Sequence, residues 1–250
     1  MLIFDYDGVM LDSVREIAVT AYNMLNNTIS TRLDQLPQNA LELFLRNRFH
    51  VQPIGDAPVL MKHCLEIGED DPNKLMRPEE YEEIIKQVDE PVAARTTRFF
   101  ETRNLFKTKD INAWIKLNAP VQPLWQIMTE KPTEDLVLLT NKNREATISL
   151  SSHFGLMISD DNIYSGDHGT TKIENMTQIM QRFRLPSYAF IDDSVKNLRE
   201  IDEHFNRAEK TISLIFASWG YTGPDDARMA EDFGYQVVAL DEFSEQFKAM

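Results

Sequence analysis

Apolar residues recur along this chain in two different rhythms. From Ser13 to about Lys131 they fall at spacings of three and four, as in SVREIAVTAYNML, LPQNALELFLRNRF, DAPVLMKHCLEI and INAWIKL, which is the period of helices that bury one face. Pro37, Pro53 with Gly55, the stretch from Gly68 to Pro72, Pro78 and Pro91 interrupt the pattern and divide it into several helices. After Pro132 the rhythm changes to short apolar or β-branched runs, DLVLLT, NIYS, YAFID, ISLIFAS and YQVVAL, with helical patterns between most of them. That alternation predicts the strands of a parallel sheet wound with helices. The opening MLIF is a run of the same kind. The sequence therefore predicts one α/β domain made of residues 1–12 and 132–250, a doubly wound parallel sheet of Rossmann-like type, with an all-helical cap domain of residues 13–131 inserted after its first strand.

Composition narrows the class of partner. At 250 residues the chain is long enough for a core domain carrying an inserted one. With 26 basic against 40 acidic residues the net charge is -14, which argues against electrostatic binding to nucleic acid or to an anionic membrane. An anionic substrate then needs a local basic pocket. A lone cysteine, Cys64, excludes an intramolecular disulfide framework, and a strand-like start at Met1 leaves no room for a signal-peptide core. A cytoplasmic protein, monomer or homodimer, is expected. No apolar run reaches the length of a membrane span.

In a wound parallel sheet, ligands bind beyond the carboxyl ends of the strands, so the residues that follow each apolar run are the candidates for chemistry. The first run ends in Asp5, Tyr6, Asp7 and Gly8; LVLL ends in Thr140 and Asn141; YAFI ends in Asp192, Asp193 and Ser194. Lys172 opens a helical pattern between the last two. Residues two apart on a strand share a face, which lets Asp5 and Asp7 converge, and Gly8 permits a sharp turn beside them. Acids gathered from two strand ends repel one another unless a cation sits between them, and hard carboxylate oxygens suit Mg²⁺. A hydroxyl, an amide and an ammonium beside that ion are the groups that hold phosphoryl oxygens.

Each residue also has a plainer use. Asp and Gly favour turns, Asp192 and Asp193 precede SVKNLREI as helix caps do, and Thr140 and Asn141 stand where they could cap the following helix. Lys172 has the alternative of an ordinary surface lysine. GDHGTTK has the wrong order for a nucleotide P-loop. In the helical segment Arg46, Arg48, Arg95, Arg98 and Arg103 are mostly expected to be exposed, and are the candidates for binding a second anionic group.

The order DYDGV, then LLTN, then Lys172, then FIDDS resembles the four motifs of the haloacid dehalogenase superfamily. With a helical insert after the first strand, the arrangement looks like the phosphoglycolate-phosphatase-like and β-phosphoglucomutase-like branch, and TNKNREATISLSSHFGL is similar to the stretch after the second motif there. The resemblance covers the core, whereas the insert resembles no cap we can name. It implies a Mg²⁺-dependent phosphatase in which Asp5 attacks phosphorus and Asp7 serves as general acid and then base. It also implies Mg²⁺ held by Asp5, the backbone carbonyl of Asp7 and Asp192, with Asp193 as a further ligand or as an acceptor supporting the ligands, Thr140, Asn141 and Gly8 around the phosphoryl group, and Lys172 neutralising charge. The expected substrate is a small phosphorylated metabolite. Two rivals remain at this stage, a phosphomutase of the β-phosphoglucomutase type and a non-catalytic binding protein on the same fold. This chain departs from many relatives in reading TKIENM where a proline follows the lysine, and in having Asn197 where a further aspartate is common.

Overall fold

The computed structural model describes residues 1–132 and 136–249. Its strands are β1 (Leu2–Phe4), β2 (Leu11–Asp12), β3 (Ala119–Pro120), β4 (Val137–Leu139), β5 (Ile163–Tyr164), β6 (Tyr188–Asp192), β7 (Ile212–Ala217) and β8 (Gln236–Val238). Six of them form one parallel sheet in the order β5–β4–β1–β6–β7–β8. Each of the predicted apolar runs contributes a strand; of DLVLLT, Asp135 lies outside the described residues.

Alternation within these strands explains why they are mostly apolar. Ile3 lies beside Val137 and Phe190, and Leu214 lies beside Phe190. Together with Leu139, Tyr188, Ile212 and Phe216 they pack on Met176, Ile179, Leu198, Ile201 and Ala230 from the following helices. The intervening Phe4 points to the other face, where its ring meets Phe243 and Phe247 edge-on. The central strands β1 and β4, covered on both faces, carry no polar side chain until they end, whereas the outer β7 and β8 have Ser213 and Gln236 exposed. The helices of this unit are α7 (Leu124–Glu130), α8 (Arg144–His153), α9 (Lys172–Phe183), α10 (Val195–Phe205), α11 (Asp226–Asp232) and α12 (Leu240–Ala249).

The order of the sheet makes β1 the switch point. The chain moves outward from β1 through β4 to β5, returns to the other side of β1 at β6, and moves outward again through β7 and β8. The carboxyl ends of β4, β1 and β6 therefore border the crevice in which such sheets bind ligands.

The chain separates into two units, Met1–Asp12 with Pro120–Met250, and Ser13–Ala119. The second unit contains α1 (Val14–Asn26), α2 (Gln38–Asn47), α3 (Ala57–Ile67), α4 (Pro78–Lys86), α5 (Val92–Lys109) and α6 (Ile111–Lys116). The sheet unit resumes at Pro120, earlier than the expected residue 132, because α7 belongs to it. The Trp125 ring packs edge-on against Tyr6 and Phe154, and its indole N–H donates to the Phe154 carbonyl at 3.0 Å. A helical period marks an amphipathic helix without saying which core it faces, so the sequence pattern alone assigned α7 to the insert.

Two of the arginines expected to be exposed are buried inside the helical unit. Arg103 makes a bidentate pair with Glu16, Nε to Oε1 at 2.9 Å and Nη2 to Oε2 at 2.8 Å, while Thr20 Oγ1 donates to the same carboxylate at 2.8 Å. Its guanidinium also lies over the ring of Phe99. Arg95 pairs with Asp56 and donates to the carbonyls of Gly55 and Glu90. Burial of a guanidinium is tolerable only with such partners. Arg98 stays exposed and pairs with Glu90, and Arg46 donates to Asn73 at the surface. Among the described residues no helix is long and apolar enough to cross a membrane.

Candidate active site

The strand register delivers two carboxylates to one level. Ile3 is beside Phe190 and Phe4 beside Ile191, so the next level along the two strands places Asp5 beside Asp192, and the Asp5 N–H donates to the Ile191 carbonyl at 2.8 Å. By alternation both side chains project on the face that carries Ile3 and Phe190. Asp193 joins them, and one carboxylate oxygen from each of the three lies within 4.8 Å of the others. All three residues are buried.

Lys172 reaches this cluster from the first residue of α9. Its Nζ stands 2.9 Å from Asp5 Oδ1, donates also to Asp192 Oδ2, and lies 5.3 Å from the centre of the Phe190 ring. The departure TKIE has a structural reading: Thr171 caps α9, accepting from the Glu174 N–H at 3.2 Å while Glu174 accepts from the Thr171 N–H at 2.8 Å. This reciprocal capping box fixes where the helix starts, and so fixes Lys172, without a proline. The surface-lysine alternative is set aside by its burial.

Supporting contacts hold the remaining acids. Asp192 Oδ1 accepts from the Ser194 N–H at 2.8 Å, and Asn197 Nδ2 reaches both oxygens of Asp192 at 3.2 and 3.1 Å. Asn197 thus restrains the Asp192 carboxylate. Asp193 Oδ2 accepts from the Tyr221 N–H at 2.6 Å. Gly8 has a φ of 89°, and a Cβ there would fall 2.0 Å from Asp193 Oδ2, so backbone sign and space both require glycine. The capping alternatives do not account for these residues. Ser194 caps α10 through the Asn197 N–H, and Asn143 is the residue that precedes α8.

Burial and neighbouring charge both act on the cluster. Burial pushes the Asp5 carboxyl up to about 7 against the pull of the Lys172 ammonium, with Asp192 and Asp7 adding to the rise. Burial alone would lower Lys172, but Asp192 and Asp5 outweigh it and hold the ammonium above the ordinary lysine value. Asp5 and Asp192 share the Lys172 ammonium, and an oxygen of Asp193 lies within 4.8 Å of theirs. An all-oxygen donor set of three converging carboxylates fits a hard divalent cation such as Mg²⁺.

Asp7 takes a different partner. Its carboxylate is outside the three-acid group and is engaged by Lys142, whose Nζ lies 3.0 Å from Oδ1 and 3.2 Å from Oδ2. The lysine side chain is wholly enclosed, while that of Asp7 is 19 % exposed. The intervening Tyr6 turns inward, its hydroxyl 2.9 Å from Ser151 Oγ. Lys142 is the site residue that the sequence reading missed. The backbone N–H of Lys142 also donates to Thr140 Oγ1 at 3.1 Å, and the Thr140 N–H donates to the Tyr164 carbonyl at 2.9 Å. Thr140 is buried at the end of β4, and Asn141 after it is exposed.

The fold has counterparts among solved structures. A haloacid dehalogenase-like hydrolase from Streptococcus pneumoniae superposes with a TM-score of 0.58 at 14 % identity, covering 100 % of this chain and 97 % of its own. A predicted phosphoglycolate phosphatase from Haemophilus somnus gives 0.60 at 13 %, covering 100 % and 96 %. Protein tyrosine kinase A from Mycobacterium tuberculosis gives 0.57 at 15 %, covering 98 % and 96 %. No protein-family model matches the sequence, and no curated protein matches it. The chain has the fold of the haloacid dehalogenase-like hydrolases. One architecture can carry several activities, so the chemistry has to be argued from the site.

Proposed function

We propose that this protein is a phosphohydrolase that cleaves a small phosphorylated metabolite through a phosphorylated Asp5. The observation that carries the reading is the convergence of Asp5, Asp192 and Asp193 with Lys172 at the switch point of the sheet. Mg²⁺ is the proposed cofactor, held by Asp5, Asp192, Asp193 and the backbone carbonyl of Asp7; when bound it supplies positive charge that stabilises phosphoryl oxygens.

In the proposed first step an Asp5 oxygen forms a bond to phosphorus as the ester P–O bond breaks, and a proton passes from Asp7 to the departing oxygen. Lys172 offsets negative charge between Asp5 and the phosphoryl group. Thr140 accepts from the Lys142 N–H, which leaves its hydroxyl proton to donate to a phosphoryl oxygen, and Asn141 and Gly8 complete the surroundings of that group. In the second step water attacks phosphorus, the bond to Asp5 breaks, and Asp7 takes the proton of the water.

The test is phosphate release from a panel of phosphorylated metabolites in Mg²⁺ and in EDTA, with mass spectrometry of an acid-quenched reaction. Expected are activity that EDTA removes and Mg²⁺ restores, and a phosphoryl mass on the peptide containing Asp5. Full activity without divalent cations, or a phosphoryl group on another residue, overturns the reading.

A further inference from the structure

Lys142 and Asp7 form a pair of which the proposed chemistry uses only the acid. An ammonium is rarely enclosed without compensation, because removing it from water is costly unless an acid satisfies it. Here the enclosed Nζ spans both oxygens of Asp7, at 3.0 and 3.2 Å, and the acid keeps part of its surface open. A contact to both oxygens restrains rotation of the carboxylate as well as its position. The backbone of the same residue holds Thr140 Oγ1. Residue 142 therefore ties together two side chains that come from the adjacent strands β1 and β4.

We propose that Lys142 is a positioning residue for Asp7, holding its carboxyl where the leaving oxygen of a phosphate ester departs. The inference rests on the phosphohydrolase reading and deepens it. Proton donation by a side chain requires hydrogen-bond reach to the ester oxygen, and a carboxyl free to rotate satisfies that only part of the time. The demand depends on the leaving group. An alkoxide must be protonated as the bond to phosphorus breaks, whereas a nitrophenolate departs without help.

This dependence gives a readout that a merely structural lysine would not produce. Lys142→Met and Lys142→Gln are compared with wild type across esters running from nitrophenyl through phenyl to alkyl phosphates. The quantity followed is kcat/KM, which is confined to steps up to departure of the leaving group when that departure is irreversible. The expected loss for Lys142→Met grows from about twofold on nitrophenyl phosphate to roughly a hundredfold on alkyl phosphates, the scale of a misplaced general acid. Lys142→Gln, which retains an N–H donor, recovers part of it. In an Asp7→Asn background Lys142→Met should add no further leaving-group dependence, since residues that act as one unit are not additive.

Thermal melts of both variants establish that the folded protein is being assayed, and the Gln variant serves if the Met variant melts below the assay temperature. Equal losses on every ester, or an unchanged series, overturn the positioning role while leaving phosphohydrolase activity standing. Absence of wild-type phosphate release from every ester overturns the phosphohydrolase reading first, and this inference with it.

Discussion

The helical unit and the sheet unit both bury charged side chains, in different proportions. In the helical unit each buried arginine meets one acid: Arg103 with Glu16, and Arg95 with Asp56, with backbone carbonyls, a hydroxyl or an aromatic ring taking the remaining polar surface. At the ends of β1 and β6, Asp5 and Asp192 share one ammonium, that of Lys172, and Asp193 stands beside them. A matched pair satisfied by its neighbours has no need of a ligand and serves packing geometry. Carboxylates that share an ammonium at a ligand-binding edge are placed to meet a cation or a transition state as well. Burial of charge is common to both regions, and the balance of signs separates architecture from chemistry.

The largest effect expected from this contrast is at Asp5. Asp5→Asn should lower phosphate release by roughly four orders of magnitude or more, the scale on which loss of a covalent nucleophile is felt. It also removes a buried carboxylate that shares the Lys172 ammonium with Asp192, so in Mg²⁺-free buffer the melting temperature should hold or rise. A sharp fall in stability with activity retained would place Asp5 among the architectural charges and dissolve the comparison.

Glu16→Gln is the opposite case. It leaves Arg103 enclosed without its carboxylate, and breaking a buried pair in this way costs about 3–5 kcal/mol. Urea denaturation should report that loss, while activity per folded molecule should remain near wild type. If stability is unchanged, the pair is not holding α1 and α5 together in the way its geometry implies.

How much of this was legible in the sequence follows the same division. The strands were legible because burial on both faces demands continuous apolar runs, and the acids stood out because polarity resumes abruptly at Asp5, Thr140 and Asp192. The match of Arg103 to Glu16 spans 87 positions, and no local pattern marks it. Lys142 was passed over for a related reason. In LLTNKN a lysine after two polar residues reads as the start of a solvated loop, and only the adjacency of β1 and β4 brings it to Asp7. The available signal was its position directly behind two residues already assigned to the phosphoryl group. The end of the insert was misplaced because α7 repeats the helical rhythm of its predecessors while packing on Tyr6.

A smaller effect should follow at Asn197, which touches both oxygens of Asp192 from α10. Asn197→Ala leaves the acid in place and removes a restraint on its orientation. Loss of a partner that orients a metal-binding carboxylate typically weakens affinity 10- to 100-fold; with the Ser194 N–H still bonded to Asp192, about tenfold is expected. Magnesium titration by calorimetry and by activity should move together. A change in turnover at saturating Mg²⁺ with unaltered affinity would mean that Asn197 acts on the substrate and not on the acid.

The smallest effect should come from Arg98, and it tests the contrast inside a single helix. Arg95, Arg98 and Arg103 all belong to α5, yet Arg98 is 52 % exposed in its pair with Glu90, with Nη1 at 3.0 and 3.2 Å from the two carboxylate oxygens. In water such a pair gains little, because ordering two long side chains offsets the attraction and salt screens what is left. Arg98→Ala should therefore change unfolding free energy by under about 0.5 kcal/mol, and by less still at high salt. Arg95→Met leaves Asp56 buried without its guanidinium and should cost several times as much, on the order of 3 kcal/mol. Denaturation of the two variants at low and high ionic strength makes the comparison with helix propensity nearly constant. Equal losses would show that burial is not what gives the α5 arginines their different roles; a large, salt-sensitive loss at Arg98 would show that the surface pair anchors the start of α5 through Glu90, whose backbone carbonyl also receives Arg95.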